Sequence, residues 1–240
     1  MSVAQLKELV MGSDNIVFFG GAGVSTESGI PDFRSADGLY HAASQTRYPP
    51  EEILSHSFFM QHPDVFYQFY KSKMIYTDAK PNMAHKALSQ WEREGRLKAV
   101  ITQNIDGLHQ AAGSQRVLEL HGSVHRNYCM DCHRSFGLDK ILQSDGIPRC
   151  DTCNGIIKPD VVLYEEPLNQ DVIEAAVHFI AKADLLMIGG TSLTVYPAAG
   201  FISYYRGKKL VLINKTATPL DNRAAVAIKG SIGDILNQLL

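Results

Sequence analysis

Short apolar runs that end in glycine recur along the chain and set its fold class. Residues 15–19 and 184–188 are nearly continuous apolar runs, and each is followed by a pair of glycines. Such runs are typical of buried parallel strands that lead into tight loops. Further strands are predicted at residues 98–102, 116–120, 210–213 and 225–228. Helical patterns lie between or beside them, at residues 1–10, 82–94, 171–181, 197–205 and 231–240. This alternation predicts an α/β fold with a doubly wound parallel sheet of the Rossmann-like type.

Two stretches interrupt the alternation and predict a smaller lobe. Residues 38–80 are long, aromatic and helical in pattern, whereas residues 122–159 contain all four cysteines of the chain. We expect a helical insertion and a metal-binding insertion that together form the small domain. The sheet domain then consists of residues 1–37, 81–121 and 160–240.

Composition excludes several classes of partner. Charged residues make up 20% of the chain and its formal net charge is −2, so no basic nucleic-acid-binding surface is expected. The apolar runs are shorter than the ~18 residues that a membrane span needs, and the first residues do not resemble a signal peptide. We therefore expect no nucleic-acid or membrane partner and a cytoplasmic location, where thiols stay reduced or bind metal.

The four cysteines form two C-x2-C pairs. Cys129 and Cys132 make the first, and Cys150 and Cys153 make the second. Two such pairs at this separation are typical of a zinc ribbon, in which four thiolates surround one Zn²⁺. Four thiolates leave no open position for water, so the predicted zinc is structural. Reduced thiols and a redox C-x-x-C pair are the alternatives.

A glycine-rich segment follows the first predicted strand. Residues 20–29 carry four glycines, and Asp32, Phe33 and Arg34 come shortly afterwards. Glycines let backbone N–H groups approach a diphosphate, and an arginine can neutralise phosphate charge. The segment is neither G-x-G-x-x-G nor a P-loop, so a plain glycine turn remains an alternative.

Blocks of sequence in a fixed order carry a family resemblance. They are GAGVSTESGIPDFR (21–34), PNMAHKAL (81–88), TQNIDGLH (102–109), LHG (120–122), the four cysteines, KPDVV (158–162), GTSL (190–193) and IN (213–214). In these blocks the chain resembles the sirtuins, the NAD-dependent protein deacylases. Its compact length is similar to that of the bacterial members.

The resemblance implies roles for individual residues. It implies that His121 is the catalytic base and that Asn104 takes part in catalysis. The implied NAD contacts are Ala22, Gly23, Thr26, Asp32, Phe33, Arg34, Gln103, Asn104, Ile105, Asp106, Gly190, Thr191, Ser192, Asn214 and Ile232. Without the resemblance, His121 would be interpreted as an ordinary polar residue at the end of a strand.

The implied reaction is removal of an acetyl group from a lysine side chain at the expense of NAD. The acyl oxygen captures the ribose as nicotinamide leaves, and His121 then assists deprotonation of the ribose 2′-hydroxyl. The products would be nicotinamide, free lysine and O-acetyl-ADP-ribose, and the partners acetylated lysine peptides or proteins. Two alternatives remain: mono-ADP-ribosyl transfer, and a non-catalytic module that binds NAD and zinc.

The resemblance also indicates substrate contacts. Val162 and Leu163 match positions near the acyl-lysine, and Tyr70 and Lys73 match a pair that grips acidic acyl groups in some members. Lysine lacks the bidentate geometry of the arginine found there, so we expect acetyl first and acidic acyl groups second. Glu165 stands where glycine is usual, and we hypothesise that it favours basic peptide flanks or weakens peptide binding.

Overall fold

The computed structural model describes residues 2–33, 38 and 47–240, so the predicted phosphate contact Arg34 lies outside the described residues. The strands of the described residues are β1 (Ile16–Gly20), β2 (Leu97–Thr102), β3 (Val117–Glu119), β4 (Gly122–Cys129), β5 (Ser135–Phe136), β6 (Ile157–Val161), β7 (Leu185–Gly189), β8 (Lys209–Asn214) and β9 (Val226–Lys229). Their α-helices are α1 (Val3–Met11), α2 (Pro50–Ile53), α3 (His56–Gln61), α4 (Pro63–Lys73), α5 (Met83–Arg93), α6 (Leu108–Ala111), α7 (Leu138–Gln143), α8 (Gln170–Lys182) and α9 (Ile232–Asn237).

The larger sheet contains six parallel strands in the order β3-β2-β1-β7-β8-β9. Strands β2 and β3 are added in sequence on one side of β1, and strands β7, β8 and β9 are added in sequence on its other side. A doubly wound sheet of this order has its switch point between β1 and β7, where a crevice for ligands opens at the carboxyl ends. The predicted Rossmann-like fold class is confirmed.

Alternate residues of the central strands face two different cores. In β1, Ile16 and Phe18 join a core with α1, α5 and α9, whereas Val17 and Phe19 join a core with α8. All four side chains are fully buried. Because both faces are covered, the strand needs apolar residues at every position, and this requirement explains the continuous runs in the sequence.

One predicted helix has a different geometry. The helical pattern at residues 197–205 corresponds to a helical segment at Ala198–Tyr204, but this segment is a 3₁₀ helix and not an α-helix. Gly200 lies in its middle and lowers helix propensity there. None of the helices in the described part of the chain is both long and apolar enough to cross a membrane.

The two insertions share one apolar core and form one lobe. Aromatic residues of α3 and α4 pack against residues of the small antiparallel sheet β5-β4-β6. The buried members are Ile53, Leu54, Phe58, Phe59, Phe66, Tyr67, Phe69, Tyr70, Val124, Cys129, Ile141, Cys150, Ile157, Val161 and Leu163. The domain boundaries remain predictions. The predicted boundary between residues 159 and 160 falls within strand β6.

Two histidines are buried between α5 and α6 in the large domain. The ring centroids of His85 and His109 lie 4.7 Å apart. The Asn82 backbone N–H donates to His85 Nδ1 at 3.3 Å. His85 Nε2 and both ring nitrogens of His109 have no hydrogen-bond partner among the described residues. Burial lowers the pKa of His85 to about 4 and that of His109 well below its usual range.

We predict that this pair makes stability fall in mild acid. An unfolded histidine has a pKa of about 6.5, so between that pH and about 4 the unfolded chain binds protons that folded His85 does not. Stability is therefore fully present above about pH 6.5. It falls with decreasing pH, by about 3 kcal/mol for His85 at pH 4.

The check is chemical denaturation between pH 4 and pH 8, compared with His109→Phe and, as a second variant, His85→Gln. We expect a shallower pH dependence for each variant. Equal slopes for the wild type and both variants would contradict the prediction.

Candidate active site

A cavity of about 890 Å³ opens at the carboxyl ends of the central strands and is lined by residues of both lobes. It gathers most of the residues predicted from the sequence. These are Ala22, Gly23, Thr26, Asp32, Phe33, Lys73, Gln103, Asn104, Ile105, Asp106, His121, Val162, Leu163, Gly190, Thr191, Ser192, Asn214 and Ile232. Their individual roles remain predictions.

Two glycine loops form one wall of the cavity without room for side chains. The Gly23 N–H donates to the Gly190 carbonyl at 2.8 Å. A Cβ atom on Gly23 would lie 2.8 Å from Gly190 Cα, and Gly190 has a φ of +61° that favours glycine. Backbone atoms therefore form this wall, as a site that holds a diphosphate through N–H groups requires.

Ser25, which the sequence reasoning did not single out, lies at the centre of a polar network. Its Oγ donates to Asp106 Oδ2 at 2.6 Å and accepts from Asn104 Nδ2 at 3.1 Å. The Leu108 N–H donates to Asp106 Oδ1 at 2.9 Å. Burial raises the pKa of Asp106, and these hydrogen bonds oppose the rise. The network joins the loop after β1 to the segment of residues 103–107, here called the nicotinamide segment after its predicted role.

His121 is held by the same segment. Its Nδ1 lies 2.9 Å from the Gln103 carbonyl oxygen. Because a carbonyl only accepts, Nδ1 carries the proton and Nε2 is the nitrogen left to accept one. Burial lowers the pKa of His121, against the opposing effect of the Gln103 bond. The imidazole is therefore neutral near pH 7, as a general base must be.

The far end of the cavity offers a free amide donor. Asn214 Oδ1 accepts from the Thr191 N–H at 2.8 Å. Its buried Nδ2 has no hydrogen-bond partner among the described residues. An unpartnered buried donor is costly, and a ribose hydroxyl is a group that could accept from it. Ile232 packs so closely on Gly189 that a Cβ atom there would lie 2.1 Å from Ile232 Cδ1.

The segment after β6 forms the rim next to His121. The Val162 N–H donates to the His121 carbonyl at 3.0 Å, and the Tyr164 N–H donates to the Leu54 carbonyl at 3.0 Å. Glu166 Oε2 accepts from the Leu163 N–H at 2.9 Å and from Lys158 Nζ at 3.0 Å. The segment is therefore held by hydrogen bonds from both lobes, and it ends in a turn in which the Glu166 N–H donates to the Leu163 carbonyl at 3.1 Å.

Glu165 adopts the backbone conformation that glycine favours, with a φ of +76°. Its exposed carboxylate accepts from the Ser57 N–H at 2.9 Å and from Ser57 Oγ at 2.6 Å. These bonds lower the pKa of Glu165. The negative charge is therefore fixed at the rim of the cavity, which Glu165 lines.

Tyr70 requires a correction, because the structure places it in the core of the small lobe. It is fully buried, and its ring stacks on Phe66 at 5.4 Å between centroids. Burial raises the pKa of its hydroxyl, which has no hydrogen-bond partner among the described residues. Lys73 lines the cavity, but Tyr70 is not among its described lining residues. The expected contact between Tyr70 and an acyl carboxylate is not supported.

The four cysteines converge outside the cavity. Their sulfur atoms all lie within 4.8 Å of one another. Sγ of Cys129 and Cys153 are 3.3 Å apart, and those of Cys132 and Cys150 are 3.7 Å apart. A tetrahedron with Zn–S bonds of about 2.3 Å has edges of about 3.8 Å, so the cluster fits a zinc ion.

Two matching turns present these sulfurs. The His133 N–H donates to the Cys129 carbonyl and the Asn154 N–H to the Cys150 carbonyl, both at 3.0 Å. His133 and Asn154 have φ values of +58° and +61°. Backbone N–H groups of Cys153 and Thr152 lower the pKa of the Cys150 thiol to about 6, which favours the thiolate that binds zinc.

The sequence predicts a surface position for His125, close to the cysteine pairs, and its side chain is exposed. It also lines the cavity, and its Nε2 lies 3.2 Å from the Asp106 carbonyl oxygen. Ser25 lies within the block of residues 21–34 and His125 lies just after the LHG block, but neither residue type carries a further sequence signal.

Comparisons with known proteins agree with this geometry. A sequence profile of the Sir2 family matches residues 21–197. The chain is 61% identical over 236 residues to an NAD-dependent protein deacetylase of Clostridium tetani, covering 98% of this chain and 96% of that protein. It is 59% identical over 239 residues to one of Clostridium perfringens, with 99% and 98% covered.

Solved structures of Sir2 enzymes have the same fold. A structure from work on the mechanism and regulation of Sir2 enzymes gives a TM-score of 0.89 at 41% identity, covering 99% of this chain and 95% of that one. A complex of Sir2 with a p53 peptide and NAD⁺ gives 0.87 at 39% identity, with 100% and 97% covered. The chain belongs to the Sir2 family.

Proposed function

We propose that this chain is an NAD-dependent protein lysine deacetylase that releases nicotinamide and O-acetyl-ADP-ribose. This proposal is supported by one cavity that combines a wall built from glycine backbone, a neutral histidine and a rim segment held from both lobes. The related clostridial proteins are named NAD-dependent protein deacetylases. A Sir2 variant has been solved with a deacetylated p53 peptide and 3′-O-acetyl ADP ribose.

Different residues of the cavity would bind different parts of NAD. The loops at Gly23 and Gly190 would hold the diphosphate, and Asn214 Nδ2 would donate to a hydroxyl of the adenosine ribose. Asn104 and Asp106, fixed through Ser25, would hold the nicotinamide half. When bound, NAD supplies a breakable nicotinamide–ribose bond and an ADP-ribose that accepts the acetyl group.

His121 would accept the proton that the reaction releases. Nδ1 is occupied by the Gln103 carbonyl at 2.9 Å, so the proton goes to Nε2. A lowered pKa keeps this nitrogen unprotonated near neutrality. The fixed tautomer also means that no rearrangement of the ring is needed before the proton is accepted.

The rim segment would bind the peptide as an added strand, with Val162 and Leu163 beside the acyl-lysine. Lys73 lines the cavity, and it is the cationic residue that the sequence predicts to contact an acidic acyl group. We propose acetyl as the preferred group, because the tyrosine partner expected for Lys73 is buried. Faster desuccinylation than deacetylation, abolished in Lys73→Ala, would reverse this preference.

We predict that Glu165 gives a modest preference for basic residues beside the acetyl-lysine. Exposed ion pairs contribute little, so the KM for a lysine-flanked peptide should rise only about two- to fivefold in Glu165→Gly. The KM for a neutral-flanked peptide should not change. Glu165→Gln, which keeps the side chain and removes the charge, is the matched control and should behave like the glycine variant. Equal KM values for both peptides in the wild type would rule the preference out.

We also propose a cytoplasmic location, since NAD and reduced zinc-binding thiols are expected there. Cell fractionation with an antibody to the chain tests it.

The activity is tested by nicotinamide release from NAD, with and without an acetyl-lysine peptide. We expect release that depends on the acetylated peptide and is absent with the same peptide unacetylated. Release that does not need the acetyl group would favour ADP-ribosyl transfer. NAD binding without release would favour a non-catalytic module.

A further inference from the structure

Strand β4 is interrupted where it passes the cavity. Gly122 and Ser123 pair with β6, and pairing resumes at Asn127, with a register shift between Ser123 and Asn127. The three residues in between, 124–126, therefore do not continue the ladder with β6. Bulges of this kind redirect backbone and side-chain groups toward other partners.

The interrupted residues turn toward the sheet domain. The Val124 N–H donates to the Ile105 carbonyl at 3.0 Å. His125 Nε2 lies 3.2 Å from the Asp106 carbonyl oxygen. Arg126 forms ion pairs with Glu119 at 2.6 Å and with Asp160 at 2.7 Å. Two of these three residues thus bind the nicotinamide segment directly.

The His125 ring is fitted to the backbone beneath it. A carbonyl oxygen only accepts, so Nε2 carries the proton and donates to Asp106. A Cβ atom on Gly107 would lie 2.7 Å from both Cδ2 and Nε2 of the ring. Gly107 also has a φ of +71°, so the backbone can pass under the imidazole only because this residue is glycine.

The held backbone determines where the Asp106 carboxylate points. The carboxylate is fixed on one side by Ser25 Oγ at 2.6 Å and on the other by the Leu108 N–H at 2.9 Å. Both bonds require the 106–108 backbone to keep its present path. From the cysteine-bearing insertion, the His125 side chain contacts this path at Asp106 and Gly107.

We propose that His125 is a positioning residue for the nicotinamide half of the NAD site, acting through the Asp106 carbonyl to fix the Asp106 carboxylate. The inference rests on the proposed function for its catalytic consequence, but its structural part stands independently. It assigns a function to a histidine on the strand that begins directly after His121 and ends at Cys129.

The test compares His125→Ala with His125→Gln, whose amide nitrogen can donate to the same carbonyl. Loss of one neutral hydrogen bond is worth about 1 kcal/mol, or about fivefold. We expect the alanine variant to raise the Kd and the KM for NAD about fivefold, with the KM for the acetyl-peptide within twofold of wild type. The glutamine variant should recover most of the loss. His178→Ala, an exposed histidine of α8, is the matched control.

Hydrogen exchange provides the readout that does not depend on activity. The Leu108 amide donates to the Asp106 carboxylate, so its exchange should accelerate about fivefold in His125→Ala and stay near wild type in His125→Gln. Unchanged NAD affinity together with unchanged Leu108 exchange would overturn the proposal, as would a glutamine variant as impaired as alanine. If the wild type deacetylates nothing, the proposed function fails, and NAD binding and exchange still decide the role of His125.

Discussion

Replacing His121 with alanine is expected to abolish deacetylation while leaving the fold and NAD binding in place. A positioned general base contributes about 10²- to 10⁴-fold to a reaction rate, so kcat should fall within that range. Among the residues that the structure describes, the imidazole makes one side-chain hydrogen bond, to the Gln103 carbonyl, so its loss should cost little stability. The measurement is steady-state deacetylation of one acetyl-peptide, with His178→Ala as the histidine control. A His121→Ala enzyme with kcat within threefold of wild type would contradict the assignment.

The pH profile gives a second check on the same residue. Neutral His121 is the active form, so kcat/KM should hold at neutral pH and decline as the pH falls through the pKa of His121. Because burial lowers this pKa, the decline should lie below the ordinary histidine value of about 6.5. An acid limb centred clearly above that value would show that another group, or a differently placed histidine, limits the rate.

Removal of zinc is expected to unfold the small sheet. Apparent zinc-binding free energies in zinc-finger peptides are about 10–16 kcal/mol at pH 7, comparable with the whole stability of a domain. Cys129 and Cys150 belong to the same buried core as the aromatic residues of α4, so that loss should spread into the helical insertion. We expect β4 and β6 to lose hydrogen-exchange protection in a chelator, while β1, β7 and β8 keep theirs.

The predicted zinc loss also affects catalysis through β4. This strand begins directly after His121 and ends at Cys129, so its disorder should lower kcat as well as stability. Re-addition of Zn²⁺ should restore both. Cys153→Ser, which removes one exposed ligand, should reproduce the loss at a milder level. A metal-free protein with full protection in β4 and full activity would contradict a structural role for the metal.

Much of the fold could be predicted because local sequence determines it. The central strands are buried on both faces, so each has a continuous apolar sequence. Gly23 and Gly190 indicate where two backbone segments pack closely together. The cysteine pairs likewise place four sulfurs together through two short local turns.

Features that depend on distant contacts could not be read in this way. The role of His125 follows from a bulge in β4 and from the lack of a side chain at Gly107, eighteen residues away. The position of Ser25 in the polar network depends on its hydrogen bonds to Asn104 and Asp106 in the nicotinamide segment. The burial of Tyr70 depends on how α4 rotates onto the small sheet, and spacing along the chain does not determine that rotation.

The fate of the acetyl group tests the proposed reaction most directly. Mass spectrometry of a reaction with NAD and an acetyl-lysine peptide should find nicotinamide, free-lysine peptide and O-acetyl-ADP-ribose in equal amounts. Nicotinamide released with ADP-ribose attached to protein, or free acetate formed without consumption of NAD, would contradict NAD-dependent deacetylation.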